Sequence, residues 1–239
     1  MKMFLVTALT LVSGVAALAC DNKPTEGKPV AQVSDPVKPA PSAAAAPSVA
    51  ASAATPAAAT SAAVAATPAK GELLAITPEN SKVGFTGAKV TGKHQGKFQK
   101  FSGALDFIAA KPEDSTVKVA IDLASVKTDQ EKLDGHLQSP DFFDVAKFST
   151  ATFESTAIKA EKGKKGETHS ITGNFDFHGV SKSITFPAEI TVKDDKVSAK
   201  ASFGVDRKTW KIEYAGKADD LIKDEVLIEF DLELPRAKK

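Results

Sequence analysis

The chain is poor in cysteine, tryptophan, tyrosine and methionine: 239 residues hold one Cys, one Trp, one Tyr and two Met. A lone thiol, Cys20, excludes an internal disulfide. Its place near the N-terminus also leaves no Cys nucleophile inside the folded part. Charge of one sign is lacking as well. Lys and Arg number 31 against 30 Asp and Glu, a formal net charge of +1. They are spread without a basic tail or stripe, so nucleic acid is not an expected partner. Catalytic motifs are missing too. Gly179-Val-Ser181-Lys-Ser183 lacks the closing Gly of a nucleophile elbow. There is no phosphate loop and no HExxH, and Gly92, Gly96 and Gly103 do not have dinucleotide-binding spacing. The four His (His94, His136, His169 and His178) are isolated from one another in sequence. A metal site needs several such ligands to converge, so none is expected.

What is present divides the chain into three. Residues 1–19 read as a secretory signal: Lys2, the short apolar run Phe4–Val12, then small residues up to Ala19. Ala17-Leu18-Ala19-Cys20 resembles a bacterial lipobox, with Ala17 where Leu is usual. That resemblance implies lipidation of Cys20 and attachment to a membrane without a spanning helix. Residues 20–70 then read as the lipidated Cys plus a disordered tether. Asn22–Lys70 is mostly Ala, Pro, Ser, Thr and Val, with no aromatic, Leu or Ile. Such a segment buries too little apolar surface to offset its ordering entropy. As a coil it would reach on the order of 40 Å.

Residues 71–239 read as one domain, and its pattern has period two. Val226, Ile228, Phe230, Leu232 and Leu234 alternate with Glu229, Asp231 and Glu233. The runs starting at Val117, Ile171, Ile184 and Val197 repeat this. Shorter candidates are Leu73–Ile76, Lys82–Val90, Lys97–Phe107 and Ala151–Ala160. Lys162–Gly166 and Lys193–Lys196 look like hairpin tips, and Lys111–Asp114 like a loop. One-sided strands joined by short turns imply antiparallel pairing. About eight of them must close into a barrel or stack as a sandwich. Helix is expected only at Asp129–Leu137, with a further short turn at Ala218–Lys223. Phe dominates the aromatics, with 14 copies, and all but Phe4 lie after residue 70.

Lys132–Phe148 interrupts the alternation with one His, three Asp and three Phe. The clustering of His136 with Asp134 and Asp141 invites a catalytic reading. Beside the strands it reads as a helix and corner. Leu133, Leu137, Phe142 and Phe143 then face a channel mouth, and Asp134, His136 and Asp141 tie the corner down by hydrogen bonds.

Four blocks carry a family resemblance. They are Ser81–Gly103, Leu133–Asp144 with Phe148 and Ala151–Ser155, Ile171–Lys182, and Ala201–Arg207 with Trp210–Tyr214. Together they resemble the YceI-like family, and they fall in family order over nearly all of Gly71–Leu234. Lys211 departs from the pattern, because Gly usually follows the aromatic there. The resemblance implies an all-β fold: a lipocalin-like antiparallel eight-stranded barrel with one or two short helices. It also implies an exported protein that binds a polyisoprenoid or similar long amphiphilic chain, with no catalytic residue, no metal and no cofactor beyond such a lipid. Ligand-contact candidates are Phe85, Phe101, Phe107, Ile121, Leu133, Phe142, Phe143, Phe153, Phe175, Phe177, Phe186, Phe203, Trp210 and Phe230. The expected partners are a long-chain lipid and, through Cys20, a membrane at the periplasmic face of a bacterial envelope; a homodimer is compatible. The rival readings are an envelope scaffold with a filled barrel and a metal-assisted hydrolase built on the four His.

Overall fold

The computed structural model describes residues 23–36, 70–163 and 165–237. The signal sequence and Cys20 lie outside the described residues, as does most of the tether. The alternating pattern becomes strands whose apolar side chains point one way. In chain order these are β1 (Gln32–Ser34), β2 (Glu72–Ile76), β3 (Ser81–Lys89), β4 (Gly92–Phe98), β5 (Phe101–Phe107), β6 (Thr116–Asp122) and β7 (Val126–Thr128). The α-helix among the described residues, α1 (Glu131–Gln138), precedes β8 (Thr150–Ala160), β9 (His169–Phe177), β10 (Val180–Val192), β11 (Lys196–Asp206), β12 (Gly216–Lys217), β13 (Asp220–Leu221) and β14 (Glu225–Pro235).

One curled, wholly antiparallel sheet runs β2-β5-β6-β8-β9-β10-β11-β14-β3-β4-β7, with β1 added beside β10. The barrel-like curl brings β2 and β14 together. The Glu72 carboxylate accepts from Arg236 Nε at 2.9 Å and from the Ala237 amide at 3.0 Å. The lipocalin-like antiparallel class is the one expected, but this sheet has twelve strands rather than eight. The additional strands include β1, β2 and β7, each of five residues or fewer. Inward apolar residues form two clusters. One is centred on Ile76, Phe107, Leu123 and Leu234, the other on Ile184, Phe186, Phe203 and Trp210. The outer face carries cross-strand ion pairs, Lys118–Glu154 at 2.9 Å and Lys200–Asp231 at 3.3 Å, an arrangement that favours this register.

Two expectations fail locally. Ala218–Lys223 is not a helical turn: it holds most of the two-residue-stranded hairpin β12–β13. Residues 23–36 do not behave as an unstructured tether. They lie against the barrel and contribute β1, which pairs with β10 through Gln32–Thr185, Val33–Ile184 and Ser34–Ser183. Composition gave no hint of this, because the segment's few buried residues, Pro24, Thr25 and Ala31, are small and show no strand period.

Turn chemistry explains the departure at Lys211. It caps the 3₁₀ turn Arg207–Trp210 in the left-handed conformation, at φ 59° and ψ 26°. Glycine adopts that conformation without a Cβ penalty. The β9–β10 hairpin turns through His178-Gly179 with φ 49° and 73°, the signature of a tight hairpin turn whose twist matches the strands. Lys211→Gly should therefore raise stability by about 1 kcal/mol in chemical denaturation, with the denaturant slope unchanged.

Candidate ligand-binding cavity

The inward faces of the two clusters do not fill the barrel completely. Between them lies a cavity of about 160 Å³. Its walls are inward residues of β2–β6, β8–β11 and β14, with Pro112 and Ser115 from the turn before β6. The only polar side chains on them belong to Ser115 and His169. Both are engaged elsewhere: Ser115 Oγ accepts from the Ile108 amide at 3.0 Å, and His169 Nδ1 lies 2.7 Å from Thr168 Oγ1. No carboxylate, ammonium, guanidinium or thiol lines the cavity. What it offers is apolar surface, which selects ligands by burial and shape.

The candidate side chains fall into two sets. Phe107, Ile121, Phe153, Phe175, Phe186, Phe203 and Phe230 line the cavity. Phe186 sits among rings: stacked on Phe203 at 4.2 Å, with Phe230 edge-on at 5.5 Å and Phe153 at 5.7 Å. Phe85, Phe101, Leu133, Phe142, Phe143, Phe177 and Trp210 lie off the lining. Phe85, Phe143 and Phe177 form a chain of ring contacts at the α1 end, with Phe85–Phe143 at 6.3 Å and Phe143–Phe177 at 5.5 Å. Trp210 is fully buried beside that chain, edge-on to Phe175 at 5.3 Å, and its indole N–H donates to the Phe175 carbonyl at 3.4 Å. Aliphatic lining residues escaped the reading, among them Val119, Ile158, Ile171, Ile190 and Ile228. Strand parity marks these positions as inward but does not distinguish side chains that reach the void from those that pack beside it.

A second, outer groove of about 780 Å³ runs across β10, β11, β14, β3 and β4. Lys82, Lys97 and Lys200 line it together with Glu229 and Asp231. Groove and cavity share Val83, Gly84, Phe98 and Phe230. The wall is thin there: Gly84 has no side chain, and a Cβ on it would stand 3.0 Å from the Gly96 carbonyl oxygen.

The Lys132–Phe148 corner is held as a structural joint. Asp134 is buried and accepts from the Thr128 amide at 2.7 Å and from Thr128 Oγ1 at 2.8 Å, with Lys127 Nζ at 3.1 Å. The Thr128 hydroxyl, then its amide and Lys127, hold the Asp134 carboxyl below its ordinary pKa despite burial. His136 Nε2 meets Asp141 at 3.2 Å, and its ring packs edge-on against Phe142 at 4.9 Å and Tyr214 at 5.1 Å. Asp144 takes φ 46°, and its amide donates to the Ser139 carbonyl at 2.9 Å. The other His are local too. His94 pairs with Asp129 at 3.1 Å, and His178 Nδ1–H donates to the Trp210 carbonyl at 2.9 Å. Among the described residues, no group of three His, Cys, Asp or Glu is placed to hold a metal ion.

A lipocalin-like antiparallel barrel around an apolar interior is an architecture suited to binding. The chain belongs to the YceI-like domain family, whose pattern matches residues 74–234. It is similar to a UPF0312 protein of Azotobacter vinelandii, 46% identical over 93 residues, or 39% of this chain and 47% of the relative. It is also similar to a UPF0312 protein of Pseudomonas aeruginosa, 41% identical over 100 residues, 42% of this chain and 50% of the relative. The chain thus spans about half the length of the curated relatives it matches. Its fold resembles BcnA of Burkholderia cenocepacia, with a TM-score of 0.57 and 24% identity over 64% of this chain and 95% of that one. It also resembles a polyisoprenoid binding domain from Saccharophagus degradans, with a TM-score of 0.54 and 17% identity over 70% of this chain and 99% of that one. At these identities the likeness concerns the fold.

Two outcomes follow from the corner. His136→Ala should remove two edge-on ring contacts, lowering stability by about 1–2 kcal/mol in thermal or chemical denaturation while leaving far-UV circular dichroism intact. Asp134 has a lowered folded-state pKa. The stability it contributes is therefore present above its ordinary pKa and lost as pH falls through the lowered value. Asp134→Asn should lower Tm at neutral pH and flatten the fall of Tm below about pH 4. An unchanged acid limb in that variant would contradict this account.

Proposed function

We propose that this protein is a non-catalytic carrier or binding protein for a long apolar or amphiphilic chain of polyisoprenoid, quinone or fatty-acyl type. It works in the bacterial cell envelope, held at the periplasmic face of a membrane through a lipidated Cys20. The observation that carries the reading is the cavity wall, apolar but for Ser115 and His169 and free of carboxylates, ammonium and guanidinium groups. The neighbouring fold described as a polyisoprenoid binding domain supports the ligand class. The outer groove supports an amphiphile in particular. A tail in the cavity could leave past Gly84 into a groove lined by Lys82 and Lys97, where a polar or anionic head would sit.

The size of the void gives the second reading its one argument. A cavity of about 160 Å³ holds a ligand of roughly benzene size. About six carbons at about 0.8 kcal/mol each amount to about 5 kcal/mol, or millimolar binding before ordering costs. A filled barrel serving as a scaffold for a protein partner needs no larger space. A carrier does, so long ligands must part the interior rings or enter where the wall yields.

Native mass spectrometry of protein extracted gently from its own membrane separates the two readings. The carrier reading expects a co-purifying mass in the prenyl or acyl-lipid range, and saturable uptake of dansyl-undecanoic acid by the emptied protein. Val119→Phe, which places a ring in the void, should weaken that uptake about tenfold or more at a stability cost of about 1–3 kcal/mol. An empty barrel that takes up neither prenyl nor acyl lipids leaves the scaffold reading standing.

A further inference from the structure

The barrel wall is split between β10 and β11. These strands are bonded to each other only where Glu189–Val192 faces Val197–Lys200, next to their hairpin. Beyond that, Val180–Ala188 is bonded on one side to β9, and Ala201–Asp206 on one side to β14. The stacked rings of Phe186 and Phe203, 4.2 Å apart with planes at 7°, sit where the strands part. A split of this kind leaves two facing rows of backbone N–H and C=O groups that require partners.

Pro29–Ser34 lies in the split and serves both rows. On the β11 side the Ala31 amide donates to the Gly204 carbonyl, and the Gly204 amide donates to the Pro29 carbonyl, both at 2.8 Å. On the β10 side Gln32, Val33 and Ser34 pair with Thr185, Ile184 and Ser183. Ala31 alone turns a buried side chain inward, joining the cluster of Ile184, Phe186, Phe203, Val205 and Trp210. Four of those, Ile184, Phe186, Phe203 and Val205, also line the cavity. The segment is bonded into the wall yet lightly packed: Val30 and Val33 are 58% and 40% exposed. Gly204 fits the segment rather than the barrel. A Cβ there would meet Thr25 Cγ2 at 2.6 Å, and the next nearest atoms are Thr25 Cβ and Val30 Cγ2, in the segment or in the residues just before it.

We propose that the β10–β11 split is a strand-accepting slot and that Pro29–Ser34 is its removable stave, which controls access to the apolar interior. Backbone pairing gives the slot its affinity for an extended peptide, the mode of added-strand recognition. Low apolar burial lets the stave leave at a cost below that of global unfolding. With the stave out, an apolar chain can enter sideways between Ile184 and Val205. That consequence rests on the carrier reading; the opening of the slot does not.

The test uses the full mature chain with Cys20→Ser, so that no native thiol interferes. Trp210, the chain's only Trp, is buried in the cluster the stave covers. Its quenching by acrylamide reports access without any ligand. Gly204→Val should speed hydrogen exchange at the Ala31 amide about tenfold and raise the quenching constant about twofold, with β11–β14 amides still protected. Gln32→Cys with Thr185→Cys, directly paired positions, should lock the stave when oxidised, since paired strands bring Cα atoms within disulfide range. Locking should lower the quenching, and reduction should restore it. Should the Gly204→Val chain not fold, the oxidised and reduced states of the locked pair decide alone. Exchange of the Ala31 amide at the rate of an unstructured peptide in the unmutated wall, or equal quenching in locked and reduced protein, would overturn the proposal. Dansyl-undecanoic acid then separates the two readings. If quenching responds but no state binds the probe, the stave stands and the carrier reading falls. If the probe binds, locked protein should take it up about tenfold more slowly, and equal rates would remove sideways entry.

Discussion

Everything in this barrel depends on β14. It is the last long element of the chain, and it pairs with β11 along its whole length and with β3 from Leu227 to Leu232. In the strand order nothing else connects β3, β4 and β7 to the remaining strands. Closure thus waits for the last strand to meet one of the first. Pairing of that kind carries a large loop-closure entropy and belongs to slow, non-local folding. Its register is strict, because a slip of one residue would turn Phe230, Leu232 and Leu234 outward and bury Glu229, Asp231 and Glu233. The Arg236–Glu72 contact just beyond β14 then draws in β2, and Arg236 also covers the Phe107 ring at 5.0 Å from its centroid.

Closure fixes what the interior can be. Medium-sized Val and Ile fill most of it, and stacked Phe rings fill the middle. The remaining void is apolar because the inward positions around it are apolar but for Ser115 and His169, and it is small because the rings turn toward one another. Polar work is confined to the joints. Arg207 is the clearest case: its buried guanidinium donates to the carbonyls of Lys223 at 3.2 Å and Ile212 at 2.6 Å, and to the Asp224 carboxylate at 3.1 Å. A buried charge this well partnered stitches the end of β11 to the start of β14. Its motif position, next to Asp206, could be mistaken for a site. Its partners make it a brace, as Asp134 is at the α1 corner.

The strands legible in the sequence were those whose face is set by burial. β10, β11 and β14 announce themselves by alternation, and α1 by the spacing of Leu133 and Leu137. β4 was hidden because Gly96 takes an inward-facing place under Phe85, whose ring atoms would meet a Cβ there at 2.3 Å. A strand that gives up its side chain to a neighbour leaves no apolar period to read. For the candidate site, parity separated inside from outside correctly, but it could not tell which inward rings face the void. Phe85 and Phe143 pair with each other near α1, and only the curl of the sheet decides that. Lys211 was visible as a departure, and its left-handed backbone supplies the reason.

β1 was illegible for a different reason, and it changes the geometry of attachment. Its pairing energy comes from backbone bonds into a vacant place in the wall, which no hydrophobic pattern records. The tether read from composition would hold the barrel on the order of 40 Å from its anchor. The docked residues include Pro24 and Thr25, four and five residues beyond the Cys20 proposed to carry the acyl chains. Pro24 and Thr25 are buried, and Thr25 Oγ1 donates to the Glu225 carboxylate at the start of β14. A lipid on Cys20 would therefore hold the β10–β11 split close to the bilayer instead of far from it. The same few residues that close the wall would set its distance from the membrane. With such an anchor, pulling them out would open the interior and lengthen the leash in one movement, and would couple access to the cavity with reach from the membrane.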